Sequence, residues 1–106
     1  RRDCLTLDNG MRLRLLSALE VLQARREAEG LARAPKEHAL CSNACLLARA
    51  LETEEGSPIF SGGEAVLAGL RVGEIAALAK IWSQFNREEN PALTMGQEEA
   101  EALKKN

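Results

Sequence analysis

The residues best suited to chemistry lie close together in the sequence: His38, Cys41 and Cys45. At about 100° per residue these positions share one face of a helix, and Cys4 could add a fourth ligand. Zinc prefers cysteine and histidine, so a small metal-binding module is one interpretation. However, the spacing differs from that of known structural zinc sites, and Cys41 and Cys45 fall within an apolar stripe. Buried, protonated thiols are the favoured interpretation, so no metal-ligating residue is predicted.

Catalytic patterns are weaker still. A Cys–His nucleophile pair needs an exposed thiolate, whereas a cysteine on a core face stays protonated. The Gly62-Gly63 pair has no following Lys-Ser/Thr and no preceding strand, so it does not form a phosphate-binding loop. Acidic pairs such as Glu88-Glu89 fall in loops or on faces expected to be solvated. We therefore predict a non-enzymatic protein with no catalytic residue, no cofactor and no cofactor-binding residue.

The composition predicts what must position these residues. The 106 residues suit a single domain spanning 1–106, and the apolar (45%) and charged (28%) fractions are ordinary for a globular protein. There is no Tyr, and Phe60, Trp82 and Phe85 are the only aromatic residues. Leu and Ala must therefore fill the core, which favours helices. We expect a mainly α domain of three to five helices with an N-terminal β-hairpin.

Charge and cysteine content exclude several partners. The chain carries nine basic and seven acidic residues up to Thr53, then five basic and nine acidic, so the halves have charges of +2 and −4. This asymmetry is too mild for a nucleic-acid surface, although it would favour head-to-tail self-association. No apolar run reaches the roughly 18 residues of a membrane span. Three cysteines, an odd number, indicate a reducing compartment, so a cytoplasmic location is expected.

The segment 4–15 predicts a β-hairpin. Apolar and polar residues alternate on both sides of Asn9-Gly10, and both of these residues can adopt the positive φ of a type I′ turn. Ser17 and Glu20 then form a capping box, which opens a helix over 18–33. Leu19, Leu22, Ala28 and Leu31 are expected on its apolar face.

Three more helices follow. Pro35 suits the first turn of a helix over 36–51, and Ser61 with Glu64 predicts a capping box for a short helix over 64–70. The strongest pattern predicts a helix over 72–89, which Asn90-Pro91 ends. Ile59-Phe60 is too short for a strand unless it pairs with the hairpin, and 94–106 has only a thin apolar face. The core positions expected on the helix over 72–89 are Val72, Ile75, Leu78, Trp82 and Phe85, with Ile81 at the edge.

Two stretches carry a family resemblance. Residues 5–20, with the Asp-Asn-Gly turn running into a capped helix, resemble the opening of small tail assembly chaperones from tailed bacteriophages. Residues 70–75 and 82–91 are similar to that family's "Leu-x-x-x-Glu-Ile … aromatic … Asn-Pro" segment. The order and spacing of these motifs carry the resemblance, which covers most of 5–93.

The resemblance implies a helical protein of a phage or prophage tail cluster that binds the tape measure protein and tail-tube subunits. Such families often make a longer frameshifted product, with which Lys104-Lys105 is compatible. No catalytic residues belong to the family, and the three cysteines are a departure from it. Two other interpretations stay open: a helical adaptor or regulator unrelated to phage, and the metal-binding module at His38, Cys41 and Cys45.

Overall fold

Helices account for most of the chain, and a small sheet lies at its N-terminal end. The computed structural model describes residues 3–89. The elements are β1 (Cys4–Thr6), β2 (Arg12–Arg14), α1 (Ala18–Leu31), a 3₁₀ turn (Pro35–Glu37), α2 (His38–Ala50), β3 (Leu51–Glu52), α3 (Gly63–Gly69) and α4 (Val72–Glu89). The predicted mainly α fold with an N-terminal hairpin is confirmed. The predicted Asn90-Pro91 stop and the possible helix over 94–106 lie outside the described residues.

The hairpin forms where it was predicted, but its turn differs. Strands β1 and β2 pair antiparallel, with Leu5 opposite Leu13. The Leu7 N–H donates to the Met11 carbonyl at 2.7 Å, and the Gly10 N–H donates to the Leu7 carbonyl at 3.0 Å. Within this turn, only Gly10 has a positive φ, of 90°. The type I′ prediction was therefore wrong: a tight turn ends in one left-handed glycine that forms a bulge.

A third strand replaces the predicted end of the second helix. Helix α2 stops at Ala50, and Leu51 and Glu52 pair antiparallel with β2 as β3. Leu51 is buried, and the Glu52 carboxylate accepts a hydrogen bond from Arg12 Nε at 3.1 Å. The backbone pairing with β2 and the hydrogen bond between Arg12 and Glu52 explain why the chain leaves the helix one residue before the predicted end.

Helix α1 begins as predicted. The Ser17 hydroxyl accepts from the Glu20 N–H, and the Glu20 carboxylate accepts from the Ser17 N–H, so the capping box is confirmed. The helix ends at Leu31, earlier than predicted, because Ala32 adopts an extended backbone. Pro35 opens a 3₁₀ turn, and the α-helix itself begins only at His38.

The core has two parts. The main core joins α2, α3 and α4 to the sheet, and its buried members are Leu13, Ala44, Leu47, Ala48, Ala50, Leu51, Val66, Ile75 and Trp82. The second part, which we call the small-residue seam, consists of Ala24 and Ala28 of α1 with Cys41 and Cys45 of α2. Small side chains let α1 and α2 approach closely along this seam.

The buried face of α4 is largely the predicted one. Ile75, Trp82 and Phe85 are buried, and Ala79 joins them. Leu78 is only half-buried, while Val72 is 65% exposed. The prediction of a core position was wrong for Val72, which occupies the first residue of the helix. The angular position of Val72 around the helix axis matches the buried face, but Val72 lies at the end of the helix, beyond the buried positions.

Candidate functional site

The residues of the alternative metal-binding interpretation are not brought together as a ligand set. Cys41 and Cys45 are buried in the small-residue seam, whereas His38 is exposed at the start of α2 and Cys4 is half-buried in β1. Among residues 3–89, no three His, Cys, Asp or Glu side chains are arranged to hold a metal ion. The geometry therefore gives no support to the interpretation of these residues as a metal-binding module.

Glu27 joins three helices at one point. Its Oε1 accepts from Arg49 Nη1 of α2 at 2.6 Å, and its Oε2 accepts from the Gly63 N–H at 2.8 Å. Glu27 thus caps α3, a role that the sequence assigned to a Ser61–Glu64 capping box. That box does not form, because α3 begins at Gly63 and its N-cap residue is Gly62, which has no side chain to accept a hydrogen bond.

Close packing explains why a glycine begins α3. A Cβ on Gly63 would lie 2.3 Å from Cys45 Sγ and 3.2 Å from Cys45 Cα. Any larger residue would push α3 away from α2 and remove its N–H from Glu27. No signal near Glu27 or Gly63 in the sequence indicated this contact, because the partners are distant along the chain.

The electrostatics of this junction make Cys45 unreactive. Burial, together with the nearby negative Glu27, raises the pKa of the Cys45 thiol to about 12. The thiolate is the nucleophilic form, so Cys45 is inert at neutral pH. Burial opposes the ionisation of Glu27, but hydrogen bonds from Arg49 and Gly63 outweigh it and lower the pKa of Glu27 below its usual range.

A second group of charges covers the outer side of the sheet. Arg12 Nε and Arg14 Nε lie 3.1 and 3.6 Å from the carboxylate oxygens of Glu52, which is 8% exposed. Arg14 also pairs with Glu20, the capping residue of α1. A cleft of about 360 Å³ lies beside these side chains. Within residues 3–89, no buried side-chain nitrogen or oxygen lacks a hydrogen-bond partner.

Glu20 is the most strongly shifted acid of this group. The hydrogen bond from Arg14 is the largest cause, and the bonds at Ser17 add to it, so the pKa of Glu20 falls to about 2. The same pairing raises the pKa of Arg14. This pair ties the start of α1 to the sheet.

Large apolar side chains in solvent are the clearest surface feature. Leu19 is 58% exposed and Leu22 is 44% exposed, and we call these two residues the α1 apolar face. At about 100° per residue they lie opposite Ala28 and Leu31, so the four cannot share the single face that the sequence suggested. The small-residue seam attaches α1 instead. Val72 and Ile81 of α4 are exposed as well.

Comparisons with known proteins identify no relative. No protein-family model matches the chain, and neither the search of curated proteins nor that of solved structures finds a match. Within residues 3–89, none of the helices combines the length and the apolar character needed to cross a lipid bilayer.

Proposed function

We propose that this chain is a tail assembly chaperone of a tailed phage or prophage. It acts without enzymatic activity in the cytosol of the bacterial host, where it binds the tape measure protein and tail-tube subunits. The observation that carries the proposal is the α1 apolar face: two leucines one helical turn apart that the fold does not use. The sequence resemblance over 5–93 supplies the identity of the client.

The α1 apolar face suits an extended helical client. Leu19 and Leu22 are spaced like the anchors of one helix lying against another. Because the small-residue seam holds α1 from its opposite side, the leucines can be covered without disturbing the core. Two leucines give modest affinity for each copy, so a long client is covered by several copies. Such coverage prevents exposed apolar surfaces of the client from associating.

Co-expression with the tape measure protein of the same phage tests the proposal. We expect the tape measure protein to be soluble only with this partner, and to co-purify with several copies of it. The mass of the purified complex gives the copy number. A tape measure protein that is soluble alone, or no co-purification at low and moderate salt, would contradict the chaperone function and leave a generic helical adaptor.

Paired variants locate the surface. Leu19→Gln with Leu22→Gln should abolish co-purification while leaving the fold intact, because both side chains are exposed. Arg25→Gln with Arg26→Gln is the matched control on the same helix, where both residues are also exposed. If the leucine pair binds the client as well as the control does, the α1 apolar face is not the binding surface.

A further inference from the structure

The outer edge of strand β1 has backbone hydrogen-bonding groups that no other residue of the described part of the chain uses. The Asp3 carbonyl and the Leu7 N–H both bond to the chain flanking β2, at 2.9 and 2.7 Å. In an antiparallel pair of strands, the backbone N–H and C=O groups of successive residues point alternately towards the partner strand and away from it. Leu5 therefore points its backbone groups towards β2. The N–H and C=O groups of Cys4 and of Thr6, four groups in all, point outwards. Within residues 3–89, no hydrogen bond is made by these four outward groups, and β1 is the first strand of the sheet order.

An apolar groove lies beside this edge. Leu5 pairs with Leu13, which is fully buried, so both side chains project towards the helices. There Leu5, Ile81 and Phe85 line a groove of about 210 Å³, with Gln84 and Glu88 completing the lining. A strand added to β1 would therefore place one side chain of its helix-facing side in this groove.

The edge also lacks the usual protection against pairing. Exposed edge strands of soluble proteins commonly carry lysine, proline or a bulge that blocks the addition of another strand. The three residues of β1, Cys-Leu-Thr, include none of these. Ile81 beside it is 39% exposed. The edge and the groove together form a surface suited to receive a strand.

The chain itself carries a strand that fits. We infer that two copies pair through β1 edge to edge, antiparallel about a twofold axis centred on Leu5. In this register each Cys4 lies opposite Thr6 of the other copy, so all four outward groups of each strand are bonded. A register centred on Cys4 or on Thr6 would leave some of the outward N–H and C=O groups without a partner. A shift of the pairing by one residue would place the outward groups of one strand opposite residues whose backbone groups point towards β2. The two Leu5 side chains then meet on the helix-facing side, beside Ile81, where each fills the groove of the other copy.

This arrangement is distinct from the α1 apolar face and does not depend on the proposed function. It joins two three-stranded sheets into one six-stranded sheet and covers the β1 edge of each copy. It also differs from the head-to-tail contact suggested by the charge asymmetry of the chain, because the same patch is used by both copies.

Cysteine cross-linking in the full chain tests the register. Directly opposed residues of a non-hydrogen-bonded pair have Cα atoms about 4.5 Å apart, which is within disulfide range. Leu5→Cys in a Cys4→Ser background should therefore form a disulfide-linked dimer on mild oxidation. Gln23→Cys in the same background is the control, since Gln23 is exposed on α1 away from the edge. The wild-type Cys4 should not cross-link, because Thr6 lies opposite it.

A proline variant tests the edge without relying on cross-linking. Thr6→Pro removes an outward donor and no bond between β1 and β2, so the monomer should keep its circular dichroism spectrum. Sedimentation velocity should show a concentration-dependent dimer for the wild type and only a monomer for Thr6→Pro. A wild type that stays monomeric, together with a Leu5→Cys variant that forms no cross-link, would overturn the inference. Self-association that survives Thr6→Pro would equally overturn it.

Discussion

Replacing Trp82 with alanine should lower the free energy of unfolding by about 3–5 kcal/mol. Trp82 is 6% exposed and belongs to the main core together with Leu13 and Leu47. Its Nε1–H donates to the Arg14 carbonyl at 2.8 Å, which ties α4 to β2. Alanine removes both the packing of the ring and this bond, and it leaves a cavity between the helices and the sheet.

A second variant separates the two contributions. Trp82→Phe keeps an aromatic ring in the core but removes the donor to the Arg14 carbonyl. A hydrogen bond of this kind contributes about 1 kcal/mol, and the smaller ring adds a modest packing loss. Trp82→Phe should therefore fall between the wild type and Trp82→Ala. If the two variants are equally unstable, the hydrogen bond rather than the packing would dominate.

Urea and thermal unfolding followed by circular dichroism provide the measurement, because Trp82 is the only tryptophan and its fluorescence is lost on mutation. For a domain of this size, 1 kcal/mol corresponds to about 4–8 °C in Tm. The alanine variant should therefore melt about 12 °C or more below the wild type. Lys80→Ala, on the exposed side of the same helix, should change stability by no more than about 0.5 kcal/mol. A Trp82→Ala variant as mild as Lys80→Ala would refute the core assignment and make the ring a candidate anchor for a partner.

Five further results are expected. The pKa of Glu20 is about 2 in the folded protein, so its contribution to stability is complete above the ordinary glutamate pKa and is lost as the pH falls towards 2. Glu20→Gln should therefore make the free energy of unfolding depend less on pH over this range. Gly63→Ala should destabilise by about 1–3 kcal/mol through its clash with Cys45, whereas Gly30→Ala, which meets no atom, should stabilise α1 by about 0.5–1 kcal/mol. A thiol reagent at pH 8 should leave Cys41 and Cys45 unlabelled until urea unfolds the chain, and metal analysis should find no stoichiometric zinc. Equal melting of the two glycine variants, or rapid labelling of Cys45 in the native protein, would contradict the packing described for α2 and α3.

Several features were predictable because their causes are local. The capping box of Ser17 and Glu20 satisfies backbone donors within one turn, so four residues of sequence are enough to place the start of α1. The apolar positions of α4 repeat often enough to place the start of the helix and three of its buried side chains. The Asn9-Gly10 pair similarly placed the hairpin, although it did not determine the type of turn.

Other features depend on residues far apart in the sequence. Glu27 caps a helix whose first residue is 36 positions away, and Arg12 bonds to a carboxylate 40 positions away, which fixes β3 beside β2. From the sequence alone, a glutamate within a predicted helix is assigned to the solvent-exposed face, because the neighbouring helix that it contacts is not known. Only the folded chain therefore revealed the junction at Glu27.

The candidate binding surface illustrates the same division. The sequence determined that the N-terminal part folds into a hairpin followed by an apolar, capped helix, because those properties follow from turn residues and helix-capping chemistry. The tertiary structure decided which side of that helix is covered: the small-residue seam of Ala24 and Ala28 packs against α2, and Leu19 and Leu22 remain in solvent. Whether a leucine is core or surface is set by the elements that pack around it. Local sequence does not encode that arrangement.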